Sequence, residues 1–599
     1  MSKLIKLLSL FIFLNEIYGE EVSKPHIIFI LFDDLGWNDV SFLGSHDIRT
    51  PNIDTLASDG IVLNQYYTDA FGTPSRSALL TGKYPMRLGV QGISISASED
   101  LGIPESERLL PSYLRELDYE TYLIGKWNVG KSRQHYLPIH RGFNTFYGFL
   151  DGSIDYFTHD LIEKWNGATA FGLNLYNNTQ PVEDQSGHVT EIFTDKAVEI
   201  IRNHDRTVPL YLQLSHAAPH TGGGLVNLQT PADTIAANSH IAHSARRTYA
   251  GMVTGLDKSV GSIVAALSEN EMLQSTIIVI VSDNGALTTG ALQNFGSNFP
   301  LRGVKGTPWE GAIRSPALVW SPILPTKIMN EVFHVTDWLP TLVHAAGGAI
   351  KKPIDGVNQW LSLKDGKKSK RKEIVLAVDN LSGWVAFREG DLKIILGKVD
   401  EETSGYYGKE LQALRKDPPS YEDMLLDCKV SNVLRDKLGV SIEPESITAK
   451  RKELNLSGLH VLQSADICIP TKEKGCLFNI SADPLEAHDL WNKLPDIVHY
   501  LTLRVRVLWS EMKPRYEPKR DPRADPSLRN YTWAPWIEND EISIEPENKT
   551  YPAFPLHLSQ KELQYIFKLN VGTFSEKLCK LIKNMGDSFT KTLSSLFNY

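Results

Sequence analysis

The chain is short of cysteine: four in 599 residues, at Cys428, Cys468, Cys476 and Cys579. The first 427 residues hold none, which excludes thiol chemistry and thiolate metal ligation from more than two-thirds of the protein. The cysteine spacing does not match a structural zinc site either. Basic excess is also missing. The formal charge is −9, spread along the chain, and gives no electrostatic footprint for nucleic acid. Beyond the first twenty residues no apolar run is long enough to span a bilayer, so no transmembrane segment is expected. Internal repeats and long low-complexity tracts are absent as well. What remains is the composition of a globular protein, 42% hydrophobic and 22% charged, too long for one ordinary core.

The N-terminus reads as a secretory signal over residues 1–19. Lys3 and Lys6 precede the apolar Leu7–Leu14 stretch, and Tyr18-Gly19 forms a cleavage neighbourhood. Six Asn-x-Ser/Thr sequons, at Asn177, Asn380, Asn455, Asn479, Asn530 and Asn548, fit a glycoprotein of that pathway, lysosomal or extracellular. Cys468 and Cys476 flank a short loop and are the preferred disulfide, although four cysteines allow three pairings.

Several apolar runs end abruptly in polar residues. His26–Phe32 precedes Asp33-Asp34, and Thr276–Ser282 precedes Asp283-Asn284-Gly285. Leu210–Leu214 leads to His216 and His220, and Glu120–Ile124 to Gly125-Lys126. Uninterrupted β-branched and aliphatic runs suit strands buried on both faces. Helical patterns over Thr194–Asn203 and Tyr249–Leu267 lie between them. The alternation predicts an α/β fold with a largely parallel sheet, in which ligands collect beyond the carboxyl ends of the strands. Four polar clusters should therefore meet on one rim.

The basic run Lys364–Lys372 reads as a solvated linker toward a second domain, with strands over Glu373–Val378 and Leu392–Leu396. Asp400–Val440 reads as a polar, irregular surface insertion. Division into residues 24–370, a smaller domain over 371–550 and an amphipathic helical tail over 551–599 follows. In the tail, Phe574, Leu578, Leu581, Ile582, Phe589, Leu593 and Leu596 recur at helical spacing.

Gly72-Thr73-Pro74-Ser75-Arg76-Ser77-Ala78-Leu79-Leu80-Thr81-Gly82-Lys83 resembles the sulfatase signature, in which a cysteine precedes x-Pro-Ser-Arg and a later Thr-Gly pair. Gly125-Lys126-Trp127-Asn128-Val129-Gly130 resembles the second signature, with asparagine where the family has histidine. The segments Gly152–Tyr156, Leu477–Pro484 and Trp533–Trp536 are most similar to the arylsulfatase B branch.

The resemblance implies an alkaline-phosphatase-like sulfatase fold: a large, mostly parallel mixed sheet flanked by helices, with a smaller C-terminal α+β domain. It implies a calcium site, with magnesium as the other hard ion considered, held by Asp33, Asp34, Asp283 and Asn284. It assigns Arg76 to supporting the nucleophile, Lys126 and Lys305 to the sulfate, and His220 to the leaving-group oxygen, with His216 second. In the family the cysteine becomes formylglycine, which attacks sulfur. Gly72 has no side chain to oxidise, and Asn128 cannot act as a base near neutral pH.

The expectation is a protein that binds a cation and a sulfated small molecule or glycan, with catalysis impaired or absent. Two other readings stand beside it. One is an active esterase using metal-activated water or Thr73; the other is a partner-binding protein with a vestigial pocket.

Overall fold

The structure is a computed structural model that describes residues 24–165, 168–405, 408, 413–456, 467–538 and 551–556. Residues 1–19, Asn548 and the helical tail beyond residue 556 lie outside the described residues.

The main sheet contains β1 (His26–Phe32), β2 (Ile61–Leu63), β3 (Glu120–Lys126), β4 (Thr145–Phe149), β5 (Tyr176–Asn177), β6 (Gln180–Pro181), β7 (Leu210–Ser215), β8 (Thr276–Ser282), β9 (Ala317–Trp320) and β10 (Lys327–Met329). Its spatial order is β10-β2-β9-β8-β1-β7-β3-β4-β5-β6. The central five, β8-β1-β7-β3-β4, pair in parallel, and β9 enters antiparallel to both β8 and β2.

In β1, Ile28, Ile30 and Phe32 join one hydrophobic cluster while Ile27, Phe29 and Leu31 join another. The strand is buried on both faces, which is why its sequence shows no polar alternation. One cluster is covered by α1 (Pro51–Asp59), α3 (Val189–Asn203) and α4 (Ser244–Glu269). The other is covered around α2 (Gly72–Thr81) and α5 (Trp338–Ala345).

A second, antiparallel sheet follows: β11 (Glu373–Asp379), β12 (Trp384–Glu389), β13 (Leu392–Gly397) and β14 (Cys476–Asn479). It is backed by α6 (Pro495–Ser510), which buries Val498, Leu501, Val505 and Trp509. The two sheets are joined by a fully buried ionic link. Lys393 Nζ lies 3.0 Å from Glu310 Oε1 and 2.7 Å from Glu486 Oε1. The large mixed sheet with a smaller α+β unit is the expected fold class, and Cys468 bonds to Cys476.

Three expectations are corrected. Asp400–Val440 is not irregular: it contains helices Tyr421–Asp427 and Lys429–Leu438, whose Leu425, Val430 and Leu434 enter the main core. These helices are short and their apolar faces narrow, so the surrounding polar residues masked the period. Arg371 is not part of a solvated linker, because its guanidinium is buried against Asp337. Asn380 is a poor glycan acceptor. Its Nδ2 donates to the Arg515 carbonyl at 2.7 Å and its Oδ1 accepts from Gln91 at 2.7 Å.

Asp257 of α4 fastens the start of α1, accepting from the Ile53 amide at 2.9 Å and from Asn52 Nδ2 at 2.8 Å. Burial pushes its carboxyl up to about 7, against the downward pull of those hydrogen bonds. The folded state therefore retains a proton that the unfolded chain releases near its ordinary pKa of about 4. The resulting stability is fully present below about pH 4 and is lost as pH rises through about 7. Unfolding temperature should fall between pH 5 and 8, and Asp257→Asn should flatten that slope. An unchanged slope in the variant would contradict the assignment.

Candidate active site at the carboxyl ends of the central strands

All but one of the site residues leave the end of a parallel strand or lie near the start of a helix. Asp33 and Asp34 follow β1, Asp283 and Asn284 follow β8, His220 follows β7, and Lys126 is the last residue of β3. The departing segments are stitched together: Asp283 N donates to Phe32 O at 3.1 Å, Asp33 N to Ala218 O at 3.2 Å and His216 N to Leu31 O at 2.9 Å. Asp34 sits at φ +64°, a left-handed conformation that aspartate tolerates better than most residues. Gly72 opens α2, and Arg76 lies four positions on, one turn along the same face. Lys305 arrives on a turn between Gly303 and Gly306, both at positive φ.

The charges interlock. Lys126 Nζ donates to Asp33 Oδ2 at 2.6 Å. Arg76 donates to Asp283 Oδ2 through Nε at 3.1 Å and Nη2 at 2.8 Å, with Nη2 also 3.7 Å from Asp33 Oδ1. Lys305 Nζ reaches Asp34 Oδ1 at 2.6 Å and Oδ2 at 2.8 Å. Asn284 Nδ2 donates to Asp34 Oδ1 at 2.7 Å, and the Asp34 amide donates to Asp283 Oδ1 at 3.2 Å. His220 Nε2 stands 3.8 Å from Asp34 Oδ2, while its Nδ1 donates to the Thr221 carbonyl at 2.7 Å.

Burial opposes ionisation of Asp33, but Lys126, His220 and Arg76 hold its carboxyl below the usual range. Asp34 is held down against burial by Lys305 and His220. Asp283 is pushed up, by burial and then by Asp33. Burial, with Lys305 adding to it, lowers His220.

These residues fit a hard divalent ion. Asp33 Oδ1 and Asn284 Oδ1 are buried and have no hydrogen-bond partner, and an orphaned buried acceptor of this kind is otherwise costly. Ligand atoms of Asp33, Asp34 and His220 lie within 4.8 Å of one another. The carboxylate and amide oxygens suit calcium or magnesium.

Residues 25–349 match the family described as Sulfatase. Arylsulfatase J of Mus musculus is 34% identical over 524 residues, covering 86% of this chain and 81% of the relative. The chain belongs to the sulfatase family.

N-acetylgalactosamine-6-sulfatase of Homo sapiens is 29% identical over 401 residues, covering 61% of this chain and 74% of that protein. Among solved structures, Ps i-CgsB in complex with k-i-k-neocarrahexaose superposes with a TM-score of 0.63 at 26% identity, covering 85% of this chain and 98% of its own.

In this sulfatase-family chain the backbone at residue 72 points into the carboxylate cluster. A Cβ added to Gly72 would stand 2.8 Å from Asp283 Oδ2 and 3.7 Å from Arg76 Nε. Thr73 faces elsewhere. Its hydroxyl donates to Asn128 O and Oδ1, both at 2.9 Å, and accepts from the Ile95 amide at 3.1 Å. Asn128 sits at φ +50°, which asparagine tolerates, and its Nδ2 donates to Ile95 O at 3.3 Å. The residues at 73 and 128 form one closed hydrogen-bonded unit.

His216 packs in the core against Phe32, its Nε2 3.0 Å from Ser259 Oγ, and burial holds it down to about 3. It is a core residue, apart from the carboxylates. Three supporting residues escaped the sequence analysis. Asp39 accepts from Arg246 and Tyr249, each at 2.6 Å, bracing the loop that carries Asp33. Asn294 Nδ2 donates to Asp34 O at 3.0 Å and Pro219 O at 3.3 Å, tying the two rim loops together. Asp39 lies only five residues beyond Asp34 in the sequence, whereas Arg246 and Asn294 carry no local signal.

Lys126→Met should cost about 3–5 kcal/mol in urea unfolding with chelator present, because it strands a buried carboxylate beside orphaned oxygens. A loss under about 1 kcal/mol would show that Lys126 does not neutralise Asp33.

Proposed function

We propose that this sulfatase-family protein binds a divalent cation and the sulfate group of an ester but does not hydrolyse the ester at the rate of an active family member. The observation that carries the proposal is the bare backbone at Gly72, aimed at Asp283 and Arg76 where the family has its nucleophile. Asp33, Asp34, Asp283 and Asn284 would hold calcium, or magnesium; the bound ion would supply positive charge for a sulfate oxygen. Three carboxylates already face Arg76, Lys126 and Lys305, so a divalent ion leaves the cluster with a surplus of two positive charges. That surplus complements a divalent oxyanion. Sulfated ligands also fit the relationship to Ps i-CgsB, whose structure contains a neocarrahexaose.

Loss of a covalent nucleophile costs on the order of a million-fold in turnover. Asn128 removes a proton carrier that serves the same missing group, so the second loss adds little. The reading with Thr73 as nucleophile requires its hydroxyl to leave Asn128 and Ile95. The apolar Leu7–Leu14 stretch behind Lys3 and Lys6, which reads as a secretory signal, supports a protein of the secretory pathway, lysosomal or extracellular. Among the described residues no helix is long and apolar enough to cross a membrane.

Purified protein should show no chromogenic aryl sulfate hydrolysis above the level of Thr73→Ala. Saturating calcium should raise stability by about 2.7 kcal/mol at a hundred times its Kd, and Asp33→Ala combined with Asp283→Ala should abolish the gain. Turnover comparable to an active family member, or calcium stabilisation surviving the double substitution, would refute the proposal.

A further inference from the structure

The mouth of the site is marked by its two least buried charged side chains. Lys305 keeps 10% of its side-chain surface exposed and His220 keeps 19%; the other charged residues of the cluster are almost fully covered. Whatever is esterified to a sulfate held by the cluster must leave past these two residues. His220 runs directly into the loop 221–229. The Lys305 amide donates to the Ala286 carbonyl at 3.1 Å, so the loop 286–296 hangs beside it. Asn294 ties this second loop to Asp34 and Pro219.

Neither loop contains a charged residue: they read Thr-Gly-Gly-Gly-Leu-Val-Asn-Leu-Gln and Ala-Leu-Thr-Thr-Gly-Ala-Leu-Gln-Asn-Phe-Gly. Their tips expose apolar side chains, Leu225 at 84%, Val226 at 55% and Leu292 at 63%. Phe157, 46% exposed, is on the adjoining Gly152–Thr158 turn. That turn joins the first loop at the Tyr156 hydroxyl, which donates to His220 O at 2.8 Å. Its carboxylate, Asp155, is buried and accepts from Gln229 Nε2 at 3.0 Å. Polar groups at the loop base are thus engaged internally, and the outward surface is uncharged and mainly apolar, with Asn227 and Thr158 as its exposed polar side chains.

Resting on the proposed sulfate site, we infer that the ligand is a sulfate monoester of an uncharged, apolar alcohol such as a sterol, an aryl alcohol or a lipid, and not a unit of a polyanionic glycan. A glycan with several sulfates or uronates extending from the pocket needs lysines or arginines along its path, and these loops offer none. An apolar alcohol extending the same way covers Leu225, Val226, Leu292 and Phe157 and removes them from water.

The test is binding, measured by calorimetry on the full chain with calcium present. The probes are inorganic sulfate, a sterol sulfate, the unsulfated sterol and a sulfated uronate-containing disaccharide. The sterol sulfate should bind on the order of tenfold or more tighter than inorganic sulfate, and the disaccharide should show no such gain. Leu225→Asp and Leu292→Asp, at positions too exposed to disturb folding, should remove the sterol sulfate's advantage and leave inorganic sulfate binding unchanged. Neutral vesicles doped with a sulfated glycolipid separate a membrane-held source from a soluble one; equal binding to undoped vesicles would overturn the inference. So would a disaccharide that binds as well as the sterol sulfate, or loop variants without effect, in each case with inorganic sulfate still bound. No binding of inorganic sulfate would instead refute the underlying site.

Discussion

Three carboxylates, from Asp33, Asp34 and Asp283, are forced into one buried space because β1 and β8 are adjacent, parallel and in register. Like charges at such separations in a poorly solvated setting repel by several kcal/mol. The arrangement persists only if cations are equally fixed, and the neighbouring elements supply them. Lys126 comes from β3, Arg76 from α2 one turn beyond Gly72 and Lys305 from a glycine-flanked turn. The orphaned oxygens of Asp33 and Asn284 are the part of this balance that protein groups leave open. The fold is a means of assembling that balance: strand order sets the carboxylates, and helix and loop geometry set the cations.

Beside this cage, Gly72 and Asn128 are local features. Gly72 opens α2 beside the Arg76–Asp283 contact and offers no side chain there. Asn128 is absorbed into a closed set of hydrogen bonds with Thr73 and Ile95, at a backbone angle that asparagine accepts. In the proposed function binding and turnover are separable, because binding would draw on charges spread over five elements and turnover on one side chain.

Much of this was legible in the sequence because it is local. The runs His26–Phe32 and Thr276–Ser282 match strands to the residue, since burial on both faces requires unbroken apolar sequence and a polar residue must end it. Asp33, Asp34, Asp283, Asn284, Lys126 and His220 were readable for the same reason, each at or just beyond a strand end, whereas Arg76 and Lys305 came only through the resemblance. What was hidden depends on tertiary partners. Arg246 looks like any helix arginine until Asp39 and Asp47 are found opposite it. The helices of 421–438 are visible only through the core they complete, and His216 differs from His220 only in which side of the rim it faces.

The central claim is that the carboxylate cage is incomplete without a cation, and anomalous diffraction from crystals grown with manganese in place of calcium tests it directly. The account predicts one strong peak in contact with Asp33 Oδ1 and Asn284 Oδ1. A cage free of anomalous signal, with both oxygens still lacking any partner, would contradict it.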